Sequence, residues 1–391
     1  MRAQVAYHLA VAAGAALAQQ TGVDTLSPVS NVKGKAFDRL AVIWLENTDY
    51  DMAVGDPNLA WLASKGITLS NYFGVTHPSE PNYIASHGGD YFGMNNDAKS
   101  TVDANVSTIV DLLEEKGIAW GEYQEDMPYT GFQGKEFVNQ VTGANAYVRK
   151  HNPAVIYGAN SARADRLGVM KNLTLFYDDL AKGTLPQWMF ITPNMTSDGH
   201  DTSVTVAGKW TRAFLEPLLN DTGFMNNTMV LVTFDENSSY ALTNRVLAIL
   251  LGDAIPAGLV GSTDSSFYNH YSEIATVSAN WDLHTLGRWD TGANVFSWVA
   301  EKTGDAVRQW SDASAPPLDT MFFNQSYDGV FNDNKGAFAV YPSPNVDVES
   351  PSGRTVLPAV KEAWAGSSNP GYYSSALEVP DGLHPPAGYE V

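Results

Sequence analysis

Hydrophobic residues fall along this chain in short, nearly unbroken runs that are typical of buried strands. Residues 39–45 (RLAVIWL) and 229–234 (MVLVTF) are apolar almost throughout, as expected for strands that are covered on both faces of a sheet. Similar runs predict further strands at residues 69–73, 119–123, 188–192 and 246–251.

Segments with helical periodicity lie between these runs. They predict helices at residues 57–65, 106–116, 175–182, 204–219, 271–281 and 294–303. The alternation of strand and helix predicts an α/β fold with a largely parallel central sheet and helices on both faces. Ligands in such sheets bind at the carboxyl ends of the strands, so the residues that follow each strand carry the information about function.

Composition adds a large core and an acidic surface to this picture. Of 391 residues, 44% are hydrophobic, and the formal net charge is −20. An acidic surface repels nucleic acid and anionic lipid, so we predict no nucleic-acid partner and no stable membrane association. An enzyme of this charge that handles anionic substrates needs a locally positive site. The oligomeric state is not indicated.

The N-terminus resembles a secretory leader. Arg2 precedes an apolar run that ends in Ala16-Leu17-Ala18, a small-x-small cleavage pattern. This predicts a signal peptide at residues 1–18, a mature chain that begins at Gln19, and a secreted, extracellular protein. The run is too short to span a bilayer.

Sequons support the secretory prediction. There are seven Asn-x-Ser/Thr sequons, which predict a glycoprotein: Asn105, Asn172, Asn194, Asn220, Asn226, Asn237 and Asn324. We do not expect a glycan on Asn237, because it lies within a candidate active-site motif. The chain contains no Cys, which excludes disulfides and thiolate chemistry.

Two of the apolar strands are followed directly by oxygen-bearing side chains. Glu46 and Asn47 follow residues 39–45, and Asp235 and Glu236 follow residues 229–234. One such pair would be an ordinary loop or helix cap more often than not. Two pairs indicate a site for a hard divalent cation such as Mg²⁺, Ca²⁺ or Mn²⁺, although the identity of the ion stays open.

A Pro-bounded serine lies between these two pairs. In Thr76-His77-Pro78-Ser79-Glu80-Pro81-Asn82-Tyr83 a helix can begin at Ser79. A hydroxyl there would meet free N–H groups that favour a phosphoryl oxygen, and a metal on it would make it a nucleophile. A simple turn with Ser79 as a helix cap is an equally good interpretation of the spacing alone.

Three further polar segments contain His. They are centred on His151, which follows Lys150, on His200, which precedes Asp201, and on His270. A single His is more often structural than catalytic. Lys150 together with several His could supply the locally positive site that an acidic protein needs in order to bind anionic substrates.

Taken together, seven motifs resemble the phosphoesterase family that contains fungal secreted acid phosphatases and bacterial phosphatidylcholine-type phospholipases C. The motifs are ENTDYD, HPSEPNY, YQEDMP, KHNP, SDGHD, TFDEN and NHYS, in that order between residues 37 and 286. The resemblance implies an alkaline-phosphatase-like architecture. Residues 316–391 are rich in Pro, Gly, Ser and Asn, and this composition predicts an irregular C-terminal extension, packed on a catalytic domain at residues 19–315 or trailing from it.

The resemblance also implies roles for individual residues. Ser79 would be the nucleophile, with His151, His200 and His270 as catalytic groups that bind phosphate or move protons. The residues that would bind substrate are Asn82, Lys150 and Asp201. The metal ligands would be Glu46, Asn47, Ser79, Asp235 and Glu236.

The resulting prediction is a phosphoric-ester hydrolase, an acid phosphatase that cleaves small phosphate monoesters through a phosphoserine with a bound divalent metal. A phospholipase C-type phosphodiesterase on the same site is the first alternative. A secreted glycoside hydrolase, which would need two opposed carboxylates, and a non-catalytic wall protein are alternatives from other classes.

Overall fold

The computed structural model describes residues 22–309, 326–333 and 340–378. The predicted signal peptide at residues 1–18 and the sequon at Asn324 lie outside the described residues, so both stay predictions. Within the described ranges, no helix is both long enough and apolar enough to cross a membrane.

A nine-stranded sheet forms the centre of the molecule, in the order β10-β2-β9-β8-β1-β7-β3-β6, with β11 paired to β2. Its strands are β1 (Arg39–Leu45), β2 (Ile67–Phe73), β3 (Trp120–Gln124), β6 (Met170–Asn172), β7 (Trp188–Thr192), β8 (Thr228–Phe234), β9 (Arg245–Leu251), β10 (Ser262–Asp264) and β11 (Tyr268–Asn269). A separate hairpin contains β4 (Glu136–Val138) and β5 (Asn145–Val148). All pairings in the large sheet are parallel except those of β9, which runs antiparallel to β2 and β8.

Twelve α-helices are present among the described residues. They are α1 (Tyr50–Gly55), α2 (Pro57–Ala63), α3 (Ser79–Gly88), α4 (Ile109–Glu115), α5 (Pro153–Ile156), α6 (Gly158–Ser161), α7 (Ala164–Leu167), α8 (Thr174–Lys182), α9 (Val204–Leu218), α10 (Tyr271–Trp281), α11 (Ser297–Thr303) and α12 (Pro358–Ala363).

The helices cover both faces of the sheet, and neighbouring residues of β3 show this directly. Successive side chains of a strand point to opposite faces. Glu122 lies 3.4 Å from His87 of α3, whereas the hydroxyl of Tyr123 donates to Asp179 of α8 at 2.7 Å. The predicted α/β fold with a largely parallel, doubly covered sheet is therefore confirmed.

Most element boundaries match the sequence prediction within a few residues. The helix predicted from residue 106 begins at Ile109 instead, because Thr108 caps it. The Thr108 hydroxyl accepts from the N–H of Val110 at 3.2 Å, and Asp111 accepts from the N–H of Thr108 at 2.7 Å. Such reciprocal capping fixes where a helix starts.

The described part of the C-terminal extension packs on the sheet domain. Residues 340–378 contain α12, whose Val360 is fully buried, so this part of the extension is neither trailing nor wholly irregular. Two of its residues, Tyr372 and Tyr373, donate to the buried Asp90, at 3.0 and 2.5 Å. The predicted boundary at residue 315 falls in the undescribed stretch and stays a prediction.

Candidate active site

The two acidic pairs emerge side by side at the carboxyl edge of the sheet. β1 and β8 are parallel neighbours in register, with Leu45 opposite Phe234, so the residues that follow them meet. The N–H of Asn47 donates to the Asp235 carboxylate at 3.2 Å, and the N–H of Glu236 donates to the same oxygen at 2.7 Å. Asn47 has a φ of 34°, in a left-handed region that Asn tolerates better than most residues.

Ser79 lies within this acidic group, at the first position of α3. Its hydroxyl is positioned to donate to Glu46 at 3.1 Å and to Glu236 at 3.4 Å. Tyr83, one helical turn later, donates to the other oxygen of Glu46 at 2.5 Å. The start of α3 thus brings the predicted nucleophile to the predicted metal ligands, and Tyr83 is a contributor that the sequence analysis did not single out.

Several buried side-chain oxygens of this group have no hydrogen-bond partner among the described residues. They include Asn47 Oδ1, Asp235 Oδ2 and Glu236 Oε2. An unpartnered buried polar atom is costly, and a native structure normally satisfies it with a partner, water or ion. All three are hard oxygen ligands, so the predicted ligand set fits a divalent cation.

Burial raises the pKa of the carboxyl groups that follow β1 and β8. Burial is the main cause for each. It raises the pKa of Asp235 to about 7, and neighbouring carboxylates push the pKa of Glu46 and Glu236 further upward. A cluster of buried like charges requires protons or a cation to compensate it.

A second donor group shares Glu46. Ligand atoms of Glu46, His151 and Asp198 lie within 4.8 Å of one another, and this buried group could hold a metal ion. Burial, together with Lys150 and His200, holds the pKa of His151 well below its ordinary value, so its imidazole is neutral and able to bind a metal.

This second group changes the interpretation of two residues. His151 was predicted to contact phosphate or move protons, but it stacks on Tyr83 at 5.0 Å with Nε2 3.2 Å from Glu46. Asp198 was not predicted at all. The available signal was its place in SDGHD, the first acidic motif after β7.

Lys150 supplies positive charge beside the serine. Its Nζ is 3.5 Å from Ser79 Oγ and 2.8 Å from Asp97. Burial alone would lower the pKa of Lys150, but Glu46 and Asp97 outweigh it and raise the pKa, so the side chain stays charged. Asp97 follows no strand and belongs to none of the motifs, so nothing in the sequence pointed to it.

His200 and Asp201 lie at the open side of the site. His200 Nδ1 is 2.9 Å from Asp201, and the His200 side chain is 30% exposed. The turn that presents them requires Gly199, whose φ of 104° is accessible essentially to glycine alone. The substrate-binding role that the resemblance implies for Asp201 stays a prediction.

Asn82 forms hydrogen bonds with the backbone of the turn before Ser79. Its Oδ1 accepts from the N–H groups of Val75 and Thr76, at 2.8 and 3.3 Å, and its Nδ2 donates to the carbonyls of Thr76 and Pro78, at 2.9 and 3.2 Å. Both ends of the amide are used by backbone, so Asn82 braces the turn that leads into Ser79. The substrate contact that the resemblance implies for Asn82 stays a prediction.

His270 is buried beneath the site, and its predicted catalytic role stays a prediction. The ring is fully buried 4.2 Å from Trp44, with Nε2 2.6 Å from the Asp235 carbonyl and Nδ1 3.2 Å from the Tyr72 hydroxyl. Burial lowers the pKa of His270 to about 3. A neutral ring with both nitrogens in hydrogen-bond contact supports the backbone at Asp235.

Asn237 is buried and held by protein contacts. It is 1% exposed, and its Nδ2 donates to Asp49 at 3.3 Å and to the Ser239 carbonyl at 2.9 Å. Its Oδ1 lies 3.0 Å from His77 Nε2. No room is left for a glycan, in line with the expectation from sequence.

Comparison with known proteins identifies the class. The model of the Phosphoesterase family matches residues 52–284. The chain is 50% identical over 357 residues to an acid phosphatase of Aspergillus fumigatus, covering 90% of this chain and 78% of that protein. A phosphate-repressible acid phosphatase of Penicillium chrysogenum is 50% identical over 340 residues, or 87% of this chain and 80% of that one.

More distant matches are also found. A phosphatidylinositol-3-phosphatase of Mycobacterium tuberculosis is 27% identical over 261 residues, covering 64% of this chain and 79% of that protein. Among solved structures, a phosphonate monoester hydrolase of Agrobacterium radiobacter has a TM-score of 0.46 and 13% identity, covering 70% of this chain and 79% of that chain. An alkaline phosphatase superfamily protein of Vibrio parahaemolyticus has a TM-score of 0.41 and 13% identity, covering 66% and 71%.

The chain is a phosphoric-ester hydrolase, as its motifs predicted. It belongs to the Phosphoesterase family.

Proposed function

We propose that this chain is a secreted acid phosphatase that hydrolyses phosphate monoesters through a phosphoserine on Ser79, beside a bound divalent cation. The observation that carries the proposal is the position of Ser79 Oγ. It lies 3.1 Å from Glu46, 3.4 Å from Glu236 and 3.5 Å from Lys150, between two carboxylates of the proposed ligand group and a positive charge. The relatives at 50% identity are named acid phosphatases, which supports the monoesterase activity.

The cation would be held by Glu46, Asn47, Asp235 and Glu236. When bound, it would polarise the phosphoryl group and lower the pKa of the Ser79 hydroxyl. We favour a hard cation because these donors are all oxygens. The group of Glu46, His151 and Asp198 offers both nitrogen and oxygen ligands and is a second possible metal site. Metal analysis therefore has to measure whether the chain binds one ion or two.

The chain's own residues supply the remaining steps. Ser79 Oγ gives up its proton to solvent and attacks phosphorus in line, the Ser–phosphate bond forms, and the ester bond to the alcohol breaks. Lys150 balances charge on the equatorial oxygens of the phosphoryl group. Water then hydrolyses the phosphoserine, which releases phosphate and restores the hydroxyl.

His200 is the acid that protonates the departing alcohol. His270 is excluded as the acid because both of its ring nitrogens are already in hydrogen-bond contact. His151 is excluded because burial keeps its ring neutral, so it has no extra proton to give. His200 alone of the three predicted catalytic His is partly exposed, and Asp201 at 2.9 Å orients its ring. The proton that His200 gives to the alcohol is recovered from the attacking water in the second step.

The proposal is tested by assaying ester hydrolysis across pH with and without a chelator. We expect release of inorganic phosphate from phosphate monoesters, strongest at acidic pH and lost on chelation. Release of phosphocholine from phosphatidylcholine without activity on monoesters would instead favour the phospholipase C alternative. Activity on glycosides that survives chelation would favour a glycoside hydrolase, and no hydrolysis at all would leave a binding protein.

A further inference from the structure

A pocket of about 340 Å³ opens next to the nucleophile, on the side of the proposed acid. Glu80, which directly follows Ser79, lies in its wall, as do Lys150 and His200. In an in-line displacement the leaving oxygen must face the group that protonates it. If Ser79 attacks and His200 protonates, the alcohol part of the substrate therefore occupies this pocket.

The pocket has a charge that differs from the rest of the molecule. Four cationic side chains line it, Lys99, Lys135, Arg149 and Lys150, against three carboxylates, Glu80, Asp97 and Glu136. Over the whole chain Lys and Arg number 23 and Asp and Glu number 43. Positive charge is thus concentrated at this pocket on a strongly acidic protein, which is the arrangement that attracts anionic ligands.

Two of the four cations already have partners. Arg149 points inward, where its guanidinium donates to the carbonyls of Ser100 and Val155 at 2.5 and 2.9 Å. Lys150 pairs with Asp97 at 2.8 Å and faces Ser79. Arg149 therefore holds the backbone together, and Lys150 serves the reacting phosphoryl group, so neither is available to the alcohol.

Lys99 and Lys135 are the two cations that are left for a ligand. Both are exposed, and neither forms an ion pair with another described residue. They lie on different segments of the chain: Lys99 is two residues after Asp97, and Lys135 directly precedes β4. The carbonyl of Lys135 accepts from the N–H of Arg149 at 2.8 Å, which fixes that backbone to the site.

We propose that this pocket binds the leaving group and that Lys99 and Lys135 select alcohols that carry a second negative charge, a carboxylate or a further phosphate. The inference rests on the proposed phosphatase function and specifies its substrate class. An uncharged alcohol would occupy the same pocket without a negative charge for either ammonium group to attract, so it would gain much less from them.

The test compares glycerol 3-phosphate with 3-phosphoglycerate, which differ only in a hydroxymethyl group against a carboxylate. The variant is Lys99→Gln/Lys135→Gln, and Lys209→Gln on the exposed surface of α9 is the matched control. We expect the double variant to lose about fivefold or more in kcat/KM for 3-phosphoglycerate, the size of an exposed charge pair. Its kcat/KM for glycerol 3-phosphate should stay within about twofold, and the control should change neither.

Ionic strength gives an independent measurement. The preference of the unsubstituted enzyme for 3-phosphoglycerate should fall as salt screens the exposed lysines. Equal losses on both substrates, or a double variant that matches the control, would overturn the selection of charged alcohols. If the unsubstituted enzyme releases phosphate from neither substrate, it is the proposed function itself that fails.

Discussion

Lys150 and Asp97 form an ion pair of 2.8 Å at the edge of the active site, with the Lys150 ammonium 3.5 Å from Ser79 Oγ. Asp97 also accepts from the N–H of Glu80 at 3.0 Å, so it connects the start of α3 to Lys150, which lies beside the proposed nucleophile. We therefore interpret Asp97 as a positioning residue. It would contact no reacting atom itself, but it holds Lys150, which would contact the phosphoryl group.

Replacing Asp97 by Asn should separate orientation from charge. Asn can still accept from the Glu80 N–H, but it no longer anchors Lys150 by charge. We expect kcat to fall roughly tenfold, the range of a hydrogen bond to a charged group. Affinity for inorganic phosphate should not fall, because a negative charge has left the site. Steady-state kinetics and phosphate inhibition measure the two effects, with the exposed Asp103→Asn as control; weaker phosphate binding at unchanged kcat would contradict the positioning role.

Ser79→Ala should remove turnover and leave anion binding largely intact. Loss of a covalent nucleophile costs roughly three to six orders of magnitude in rate, whereas vanadate is held mainly by the cation and Lys150. Ser86→Ala is a matched control, because Ser86 is a buried serine of the same helix whose hydroxyl donates to the Tyr83 carbonyl at 2.8 Å.

The nucleophile can also be identified directly. After acid quenching with labelled substrate, the phosphorylated peptide should contain Ser79. A label on Thr76 or on a His, or normal turnover of Ser79→Ala, would show that another residue attacks phosphorus.

The sequence predicted the strands well and the site only in part, for a physical reason. Buried parallel strands are continuous apolar runs, so β1 and β8 were visible, and register places Glu46 beside Asp235 without further information. Asp97 joins the site through a loop path that no local pattern encodes. Asp198 and Tyr83 did stand in motifs, but only the fold shows that their side chains reach Glu46 and its neighbours. Asn82 and His270 show that a polar residue in a motif can also hold the backbone of the site.

Metal content should distinguish the two donor groups. We predict that Asp235→Asn and Glu46→Gln each lose the ion and most activity while the fold survives, because each removes a buried anionic ligand. Glu273→Gln is the control, a buried carboxyl that accepts from Trp44 and Tyr72 outside both groups, at 3.0 and 2.8 Å. Elemental analysis and far-UV circular dichroism are the measurements. One ion per chain is expected; two ions, with one lost in Asp198→Asn, would place a second metal in the group of Glu46, His151 and Asp198.

Glycan placement should follow exposure. Asn105, Asn220 and Asn226 are exposed and should carry glycans, whereas the buried Asn237 should not. Glycopeptide mapping of the secreted protein, with intact mass before and after glycosidase, tests this and should place the mature N-terminus near Gln19. A retained Met1 or an unchanged mass would refute the secretory prediction.

Stability in acid should depend on the buried pair of Asp179 and Lys171. The Asp179 carboxylate accepts from Lys171 at 2.6 Å, Tyr123 at 2.7 Å and Ser27 at 2.7 Å, which joins α8, the sheet and the segment that precedes β1. Burial would raise the pKa of Asp179, but these hydrogen bonds outweigh it and lower the pKa. A carboxyl group whose pKa is lowered on folding stabilises the protein above its unfolded value of about 3.9. That contribution is lost as the pH falls through the lower, folded pKa.

Asp179→Asn should therefore destabilise the protein by about 3–5 kcal/mol at neutral pH, because Lys171 is left buried without its counter-charge. The gap in unfolding free energy between the two proteins should persist at the acidic pH where a phosphatase of this kind would work. It should close only below about pH 4, once the carboxylate of the unsubstituted protein is protonated. Denaturant unfolding at several pH values between about 7 and 3 measures this directly. A gap that closes near pH 6, or none at neutral pH, would show that the pair does not anchor this side of the fold.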